Sequence, residues 1–320
     1  MNPLAVLGFC AAVPALVCYV AQGGLPPYLL HILALACTYA IPAIGLNIML
    51  GYGGLVCLGH AAFVGLGAYT LGILAVDHGW GFWATLPLAA LVAGAAGALL
   101  GAVTLRLRTH FFMIATLAFG LVTHAVLNNW EELTRGPVGL PGIPRPDGFA
   151  FFGLDFAFRR LPDFAAFAVG ATAVAFALSA LLIRSDFGRM LVAIRQDETL
   201  AAAKGVNVTA GKVLAFAIGA AIAGAGGAVK VSFLRVAAPA SFEYLEGINL
   251  VLIVIIGGAG RLSGPLLGAL LFVALPEYLR VAAEWRLVFF GVALVLLMRF
   301  APEGLAGIAA RLFRRRPAVA

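Results

Sequence analysis

Four polar side chains interrupt long apolar runs of this sequence: Asn47, His60, His124 and Asn249. A polar group at membrane depth is costly to expose to hydrocarbon, so each must find a hydrogen-bond partner or meet a polar solute. Neutral amides and imidazoles at such places can contact a small solute, but they do not make a catalytic centre, which needs acid, base and nucleophile converging at one face. The one dense cluster of ionisable residues, around Asp197, has no histidine or cysteine beside it. Cys10, Cys18, Cys37 and Cys57 all lie inside hydrophobic runs, without a C-x-x-C pair or a histidine spacing suited to zinc, so they read as small apolar residues and no metal site is expected. For His60 a structural hydrogen bond competes with solute contact.

The segment from Ser185 to Thr209 carries Arg189, Arg195, Asp197, Glu198 and Lys204. Asp197 and Glu198 open an alanine-rich stretch, Lys204 stands near its end and Gly205 follows, which predicts one short helix from Gln196 to Lys204 aligned with the helix dipole and stopped by glycine. Such a helix suits docking against a partner, or is a solvated connection. No G-x-x-x-x-G-K-[ST] sequence is present: Gly211-Lys212 runs into Val213 without the upstream glycine, so no ATP-cradling loop is expected.

Two stretches are broken by glycine in a similar way. Gly45-Leu46-Asn47 leads to Gly51-Tyr52-Gly53-Gly54, and Gly247-Ile248-Asn249 leads to Gly257-Gly258-Ala259-Gly260. This faint repeat predicts discontinuous helices, whose freed backbone groups need a cavity or surrounding protein. Close helix packing is the alternative, and it is the expected role of Gly94 with Gly97 and of Gly224 with Gly227. On the first reading Asn47, Gly53, His60 and Asn249 are candidates for a solute path.

The elements that position these residues must sit in a bilayer. Of 320 residues, 63% are hydrophobic and 11% charged, with a mean hydropathy of +1.04, whereas about a quarter of the residues of a soluble domain are charged. A helical crossing takes about 20 apolar residues. Uncharged stretches of that order occur at Leu4–Ala21, Tyr28–Leu50, Gly54–Val76, Phe82–Leu105, Phe111–Leu127, Phe164–Ile183 and Val213–Val229, with shorter ones at Gly247–Ile256, Pro265–Leu275 and Leu287–Met298. The expected fold is all-α, a polytopic transmembrane helical bundle of about 8–10 membrane segments, some glycine-broken or re-entrant. The alternating pattern of a membrane barrel is absent. The run from Leu4 has no basic residues before it and is expected to be a retained helix rather than a secretory signal. None of the seven longest runs contains Asp, Glu, Lys or Arg, which disfavours an ion-coupled secondary transporter, since coupling normally places a charge within a span.

The 21 Lys and Arg residues divide unevenly between the two sides: twelve fall with Arg106, Arg189, Arg195, Lys204 and Arg299, eight with Arg135, Arg145, Lys230 and Arg235, and Arg261 is unassigned. With the acids included the sides carry +8 and −2, and the positive-inside rule makes the first side, and the C-terminus with it, cytoplasmic. The overall charge of +7 then belongs to helix ends and anionic lipid rather than to nucleic acid. The connection over residues 184–212 faces inward. The one over 128–163, stiffened by Pro137, Pro141, Pro144, Pro146 and Pro162, faces outward as a passive loop or a docking surface.

Phe187-Gly188-Arg189, Ala193-Ile194-Arg195-Gln196-Asp197-Glu198 and Gly205-Val206-Asn207-Val208 together resemble the coupling loop of branched-chain amino-acid ABC permeases of the LivM type. Gly51-Tyr52-Gly53-Gly54 with Leu58-Gly59-His60-Ala61-Ala62-Phe63, then Thr116-Leu117-Ala118-Phe119, Thr134-Arg135-Gly136-Pro137-Val138-Gly139 and Gly257-Gly258-Ala259-Gly260-Arg261-Leu262-Ser263-Gly264-Pro265, are similar to four further signatures of that family. Cys57 and Arg261 stand where the family often has serine, departures that bear on the solute more than on the fold. The resemblance spans roughly residues 28–300, between an N-terminal transmembrane helix over 1–27 and a basic cytoplasmic tail over 301–320.

It implies the permease subunit of an ATP-driven importer in a bacterial inner membrane, without an ATPase site of its own. The implied partners are a second permease, two cytoplasmic ATPase subunits that use ATP, a periplasmic solute-binding protein and membrane lipid. The implied cargo is a branched-chain or other hydrophobic amino acid, with urea or a short amide as the alternative. Arg189, Arg195, Asp197, Glu198, Lys204 and Gly205 would couple to the ATPases, and Thr134, Gly136, Pro137 and Gly139 would meet the binding protein. A secondary transporter or channel is the rival from another class.

Overall fold

The computed structural model describes residues 17, 19–20, 25–105, 109–151, 154–156, 158, 160–278, 291–292, 295 and 304–313. The expected first helix, the run at 287–298 and the end of the basic tail lie wholly or largely outside them. Six stretches are long and apolar enough to cross a membrane: Pro27–Tyr52, Phe82–Thr104, His110–Asn129, Leu161–Arg184, Val208–Leu234 and Pro239–Gly257. Shorter apolar helices occupy His60–Val76 and Gly264–Glu277. The chain is an all-α membrane bundle, as its apolar runs require.

Helix α1 (Pro27–Leu46) begins with proline in its first turn, where the missing N–H has no intrahelical acceptor to lose. It passes into a π-helix over Asn47–Tyr52. After a short non-helical stretch come α2 (His60–Val76), α3 (Phe82–Thr104) and α4 (Thr109–Asn129). The proline-rich connection then forms a single turn, α5 (Glu131–Thr134), and three short strands, β1 (Leu140–Pro141), β2 (Phe149–Phe151) and β3 (Leu154–Phe156), the last two a hairpin. Helix α6 (Leu161–Arg184) leads to α7 (Asp186–Gln196), α8 (Glu198–Ala203) and the long α9 (Val208–Leu234). Strand β4 (Val236–Ala237) pairs antiparallel with β1. Helices α10 (Tyr244–Gly257) and α11 (Gly264–Tyr278) form a hairpin, and α12 (Gly304–Phe313) packs back on it, with Arg261 donating to the Ala306 carbonyl.

Between Gly247 and Leu275 both arms of this hairpin are helical and the turn lies at Gly258–Ser263.

Helix α9 is central, packed along α3, α2 and α1, while α1 also carries α6, α11 and α10. A β-carbon on Gly67 would lie 2.1 Å from the Gly224 carbonyl oxygen, and one on Gly227 would lie 2.0 Å from that of Val64. One on Gly97 would meet the Ala220 β-carbon at 2.5 Å. Lipid tails are as apolar as leucine, so helices associate through such close backbone contact rather than through exclusion of water. The pairs Gly94/Gly97 and Gly224/Gly227 are thus packing glycines. Leu99, Ile114, Val122 and Leu181 point outward from α3, α4 and α6, where hydrocarbon is their solvent.

The two long connections lie at opposite ends. The described residues between 130 and 160 share one end with Asp77, which pairs with Arg135, and with Arg235, whose carbonyl accepts from Gly142 and Ile143. Helices α7 and α8 share the other with the Asn47–Gly54 break and the Gly258–Ser263 turn.

Candidate functional site

At that second end the two glycine breaks meet. Asn47, the first residue of the π-helix and 2% exposed, accepts a hydrogen bond at Oδ1 from the Gly260 amide (2.9 Å) and donates from Nδ2 to the Arg261 carbonyl (3.1 Å). An amide side chain is the group that both accepts and donates here, and both backbone groups it serves belong to the Gly258–Ser263 turn of the second break. Gly54 (φ +70°) and Gly260 (φ +80°) hold left-handed conformations that disfavour any side chain. A β-carbon on Gly51 would fall 2.4 Å from the Gly260 amide nitrogen.

Arg195 joins this junction to the connection over residues 184–212. Its guanidinium, carried at the end of α7, donates to the Gly51 carbonyl, and its aliphatic stem covers Gly54. The predicted short helix over Gln196–Lys204 is present as α8, which begins two residues later at Glu198 and ends in Lys204 as its C-cap, and a separate helix, α7, precedes it and ends at Gln196. Asp197 makes the break: its backbone is extended (φ −156°) and its Oδ1 caps α8, accepting from Thr199 N (2.9 Å), Leu200 N (3.0 Å) and Thr199 Oγ1 (2.6 Å). An N-cap acid that satisfies orphan amides both ends one helix and starts the next. These bonds, the Thr199 hydroxyl foremost and then the Leu200 amide, hold the Asp197 carboxyl below the usual carboxylate range.

The other loop candidates are partly engaged within the chain. Glu198 pairs with Lys212 of α9, and Arg189 with Asp186 in an exposed pair. Lys204 is the exposed C-cap of α8, and Gly205 follows at φ +84° as the expected terminator.

The path candidates do not converge in one chamber. Gly53 closes the π-helix, donating to the Ile48 carbonyl at 3.0 Å. His60 is fully buried at the start of α2, with Nε2 3.0 Å from the Pro42 carbonyl of α1 and Nδ1 unpartnered. Next to it, the Leu58 amide donates to Thr116 Oγ1 on α4, so two of the sequence signatures are in contact. Asn249 departs from the predicted repeat: it lies mid-way along α10 rather than at a break, about 13 Å along the helix from Gly258, with its amide 3.5 Å from Glu246 Oε2. The helix runs on because Leu250 to Ile256 form an uninterrupted apolar run, and chain direction reverses only at Gly258 (φ +112°).

At the opposite end Thr134 is buried, donating to the Leu127 and Trp130 carbonyls at 2.7 and 2.6 Å. Gly136 and Gly139 are buried as well, with positive φ, and a β-carbon on Gly139 would strike the Ala237 carbonyl. These three form the frame, and Pro137 with Val138 forms the surface they present.

Sequence reasoning missed one pair. The apolar run ends at Val229, but α9 continues to Leu234 and encloses Lys230, which is 5% exposed and pairs with Glu246 in the first turn of α10. Lys230 is therefore not a surface charge of that side. The signal was present: Val231-Ser232-Phe233-Leu234 carries the apolar run past the lysine. Two apolar grooves, of about 870 Å³ between α1, α3, α6 and α9 and about 220 Å³ between α1, α6 and α11, contain none of these residues.

Comparison with known proteins gives the same outline. Residues 28–298 match the family described as branched-chain amino acid transport system, permease component. The chain is 35% identical over 286 residues to the high-affinity branched-chain amino acid transport system permease protein LivM of Salmonella typhimurium, covering 83% of this chain and 67% of that one. To LivM of Escherichia coli it is 35% identical over 293 residues, covering 86% and 69%. To LivH of Escherichia coli it is 26% identical over 286 residues, covering 85% and 92%. No solved structure matches.

Proposed function

The chain belongs to the family of branched-chain amino-acid transport permeases, and from that premise we propose that it is the membrane subunit of an ABC importer for branched-chain or other hydrophobic amino acids. On this reading the partners are a second permease of related sequence, two cytoplasmic ATPases that bind ATP, and a periplasmic binding protein that selects cargo. On the same reading the membrane is a bacterial inner membrane with α7, α8 and the C-terminus in the cytoplasm, an orientation that the excess of Lys and Arg on that side supports.

The observation that carries the proposal is the bond from Arg195 to the Gly51 carbonyl. A loop that meets an ATPase can do work on a solute path only through a physical link to a bistable element. Arg195 supplies that link, and Asn47 extends it from the first break to the second. Closure of the ATPases would shift α7 and α8 and, through Arg195, the junction of α1 with the α10–α11 turn. Pro137 and Val138 offer the binding protein an exposed apolar tip at the other end.

Affinity purification of the tagged protein in mild detergent, followed by mass spectrometry, tests the assembly. Recovery of a second permease with two P-loop ATPases is expected; a lone homo-oligomer overturns the proposal. In proteoliposomes, alanine at both Asp197 and Glu198 is expected to uncouple ATP hydrolysis from uptake, and unchanged uptake removes those residues from the coupling surface. Uptake that a protonophore abolishes while ATP is present would favour the secondary-transporter reading.

A further inference from the structure

We infer that Lys230 and Glu246 form a recognition site for the zwitterionic head of an α-amino acid, Lys230 for its carboxylate and Glu246 for its ammonium. This deepens the permease reading and rests on it.

The pair has a setting unlike any other ion pair among the described residues. Its side chains are 7% and 13% exposed, whereas every other pair has at least one partner more than a quarter exposed. The Lys230 ammonium also lies 3.5 Å from the Ser241 carbonyl, 4.7 Å above the Tyr39 ring and 5.6 Å above the Phe242 ring. Glu246 has Asn249 at its second oxygen and the Tyr39 hydroxyl beside it.

Stability does not account for such a pair. Desolvating two charges offsets their attraction, and well-packed apolar residues in their place are often as stable or more so. In a chain that is 63% hydrophobic, apolar side chains would fill this place readily, so a retained pair points to function.

Helix α9 packs along α3, α2 and α1, and α10 along α11 and α1. Between α9 and α10 the closure is therefore made largely by side chains, with Tyr39 of α1 on one flank and Phe242 on another. A zwitterion entering there exchanges the contact between Lys230 and Glu246 for two contacts of the same kind, and no buried charge is left alone. A neutral solute such as urea breaks the pair and returns no charge to either member, which a low-dielectric site penalises. The aromatic faces of Tyr39 and Phe242 accept an ammonium and an apolar side chain alike. The site thus selects amino acids over urea and short amides, the discrimination that the signature motifs leave open.

Thermal melting of the purified membrane complex in lipid nanodiscs tests this directly, with L-leucine, L-leucinamide, N-acetyl-L-leucine and urea as probes at equal concentration. Leucine is expected to raise the melting temperature, and the three probes that lack one or both charges are not. Lys230→Met combined with Glu246→Leu should keep the ligand-free melting temperature and weaken leucine binding about tenfold or more, the loss of a charge-assisted contact. The charge-swapped double variant, Lys230→Glu with Glu246→Lys, retains a zwitterion site and serves if the apolar one misfolds; leucine should still stabilise it. An equal shift with urea, or a leucine shift that survives the apolar double variant, overturns the inference. ATP-driven leucine uptake by the wild-type complex without any leucine shift overturns it alone, whereas absence of ATP-driven amino-acid uptake overturns the permease reading as well.

Discussion

The guanidinium of Arg195 donates to the backbone carbonyl of Gly51, so the last turn of α7 is fastened to the π-helical end of α1 across 144 residues of sequence. In a membrane bundle a freed carbonyl must be satisfied by protein or water. Here the satisfying group belongs to the loop proposed to couple to the ATPases.

Arg195→Ala is expected to lower ATP-driven uptake about tenfold or more, the worth of a charge-assisted hydrogen bond, while the ATPases still copurify. Arg195→Lys keeps the charge but not the planar fork, and recovers part of the rate. Uptake unchanged in the alanine variant would remove the strut from the mechanism.

Asn47 serves two backbone groups at once. Asn47→Leu leaves the Gly260 amide without its partner and the Arg261 carbonyl with the Gly264 amide alone, and should destabilise the junction by about 1–3 kcal/mol, seen as a lower melting temperature in detergent. Asn47→Asp restores the acceptor for Gly260 but sets an oxygen against the Arg261 carbonyl, so it should not rescue. A leucine variant as stable and active as wild type would show that the junction is not held this way.

Small residues should differ sharply by place. Gly67→Ala drives a methyl into the Gly224 carbonyl and is expected to cost about 1–3 kcal/mol through overpacking between α2 and α9. Gly170, in α6, has no atom within 4 Å of its would-be β-carbon, and Gly170→Ala should leave stability unchanged or raise it by up to about 1 kcal/mol through helix propensity. Equal melting temperatures for the two variants would contradict the packing described for α9.

The cap of α8 should be insensitive to mild acid. A carboxyl held below its unfolded value contributes stability that is present above that value and lost as pH falls through the folded one. Hydrogen-exchange protection of the Leu200 amide is therefore expected to persist at neutral and mildly acidic pH and to fail only below the usual carboxylate range. Asp197→Asn, an equally good cap, should remove even that dependence. Protection lost well above the carboxylate range would mean that another group holds the helix.

Much was legible because the relevant physics is local. Long uncharged runs can only be membrane helices, and Gly45 to Gly54 predicted an interruption that the π-helix provides. Gly205 marked the end of α8 by the same local logic. Asp197 was read as an acid at a helix start, which it is, but its capping of α8 also ends α7, and the strength of that cap depends on Thr199 turning its hydroxyl inward. The motif marks Thr134, Gly136 and Gly139 as a docking surface, and their burial shows that a motif can record the frame of a loop as well as its exposed tip.

By itself the sequence determined the solvent of this protein, its helical class, its break points and its family signatures, since each follows from composition or from neighbours a few residues apart. Which distant groups meet was decided by tertiary structure alone. Asn47 finds Gly260 rather than Asn249, and Arg195 finds Gly51. Lys230 finds Glu246 inside the bundle instead of water at its rim. The physical reason is that a polar group in lipid takes its partner from whichever helix packing brings within reach, and packing is set by the close approach of small residues on α9 with α1, α2 and α3, not by order along the chain.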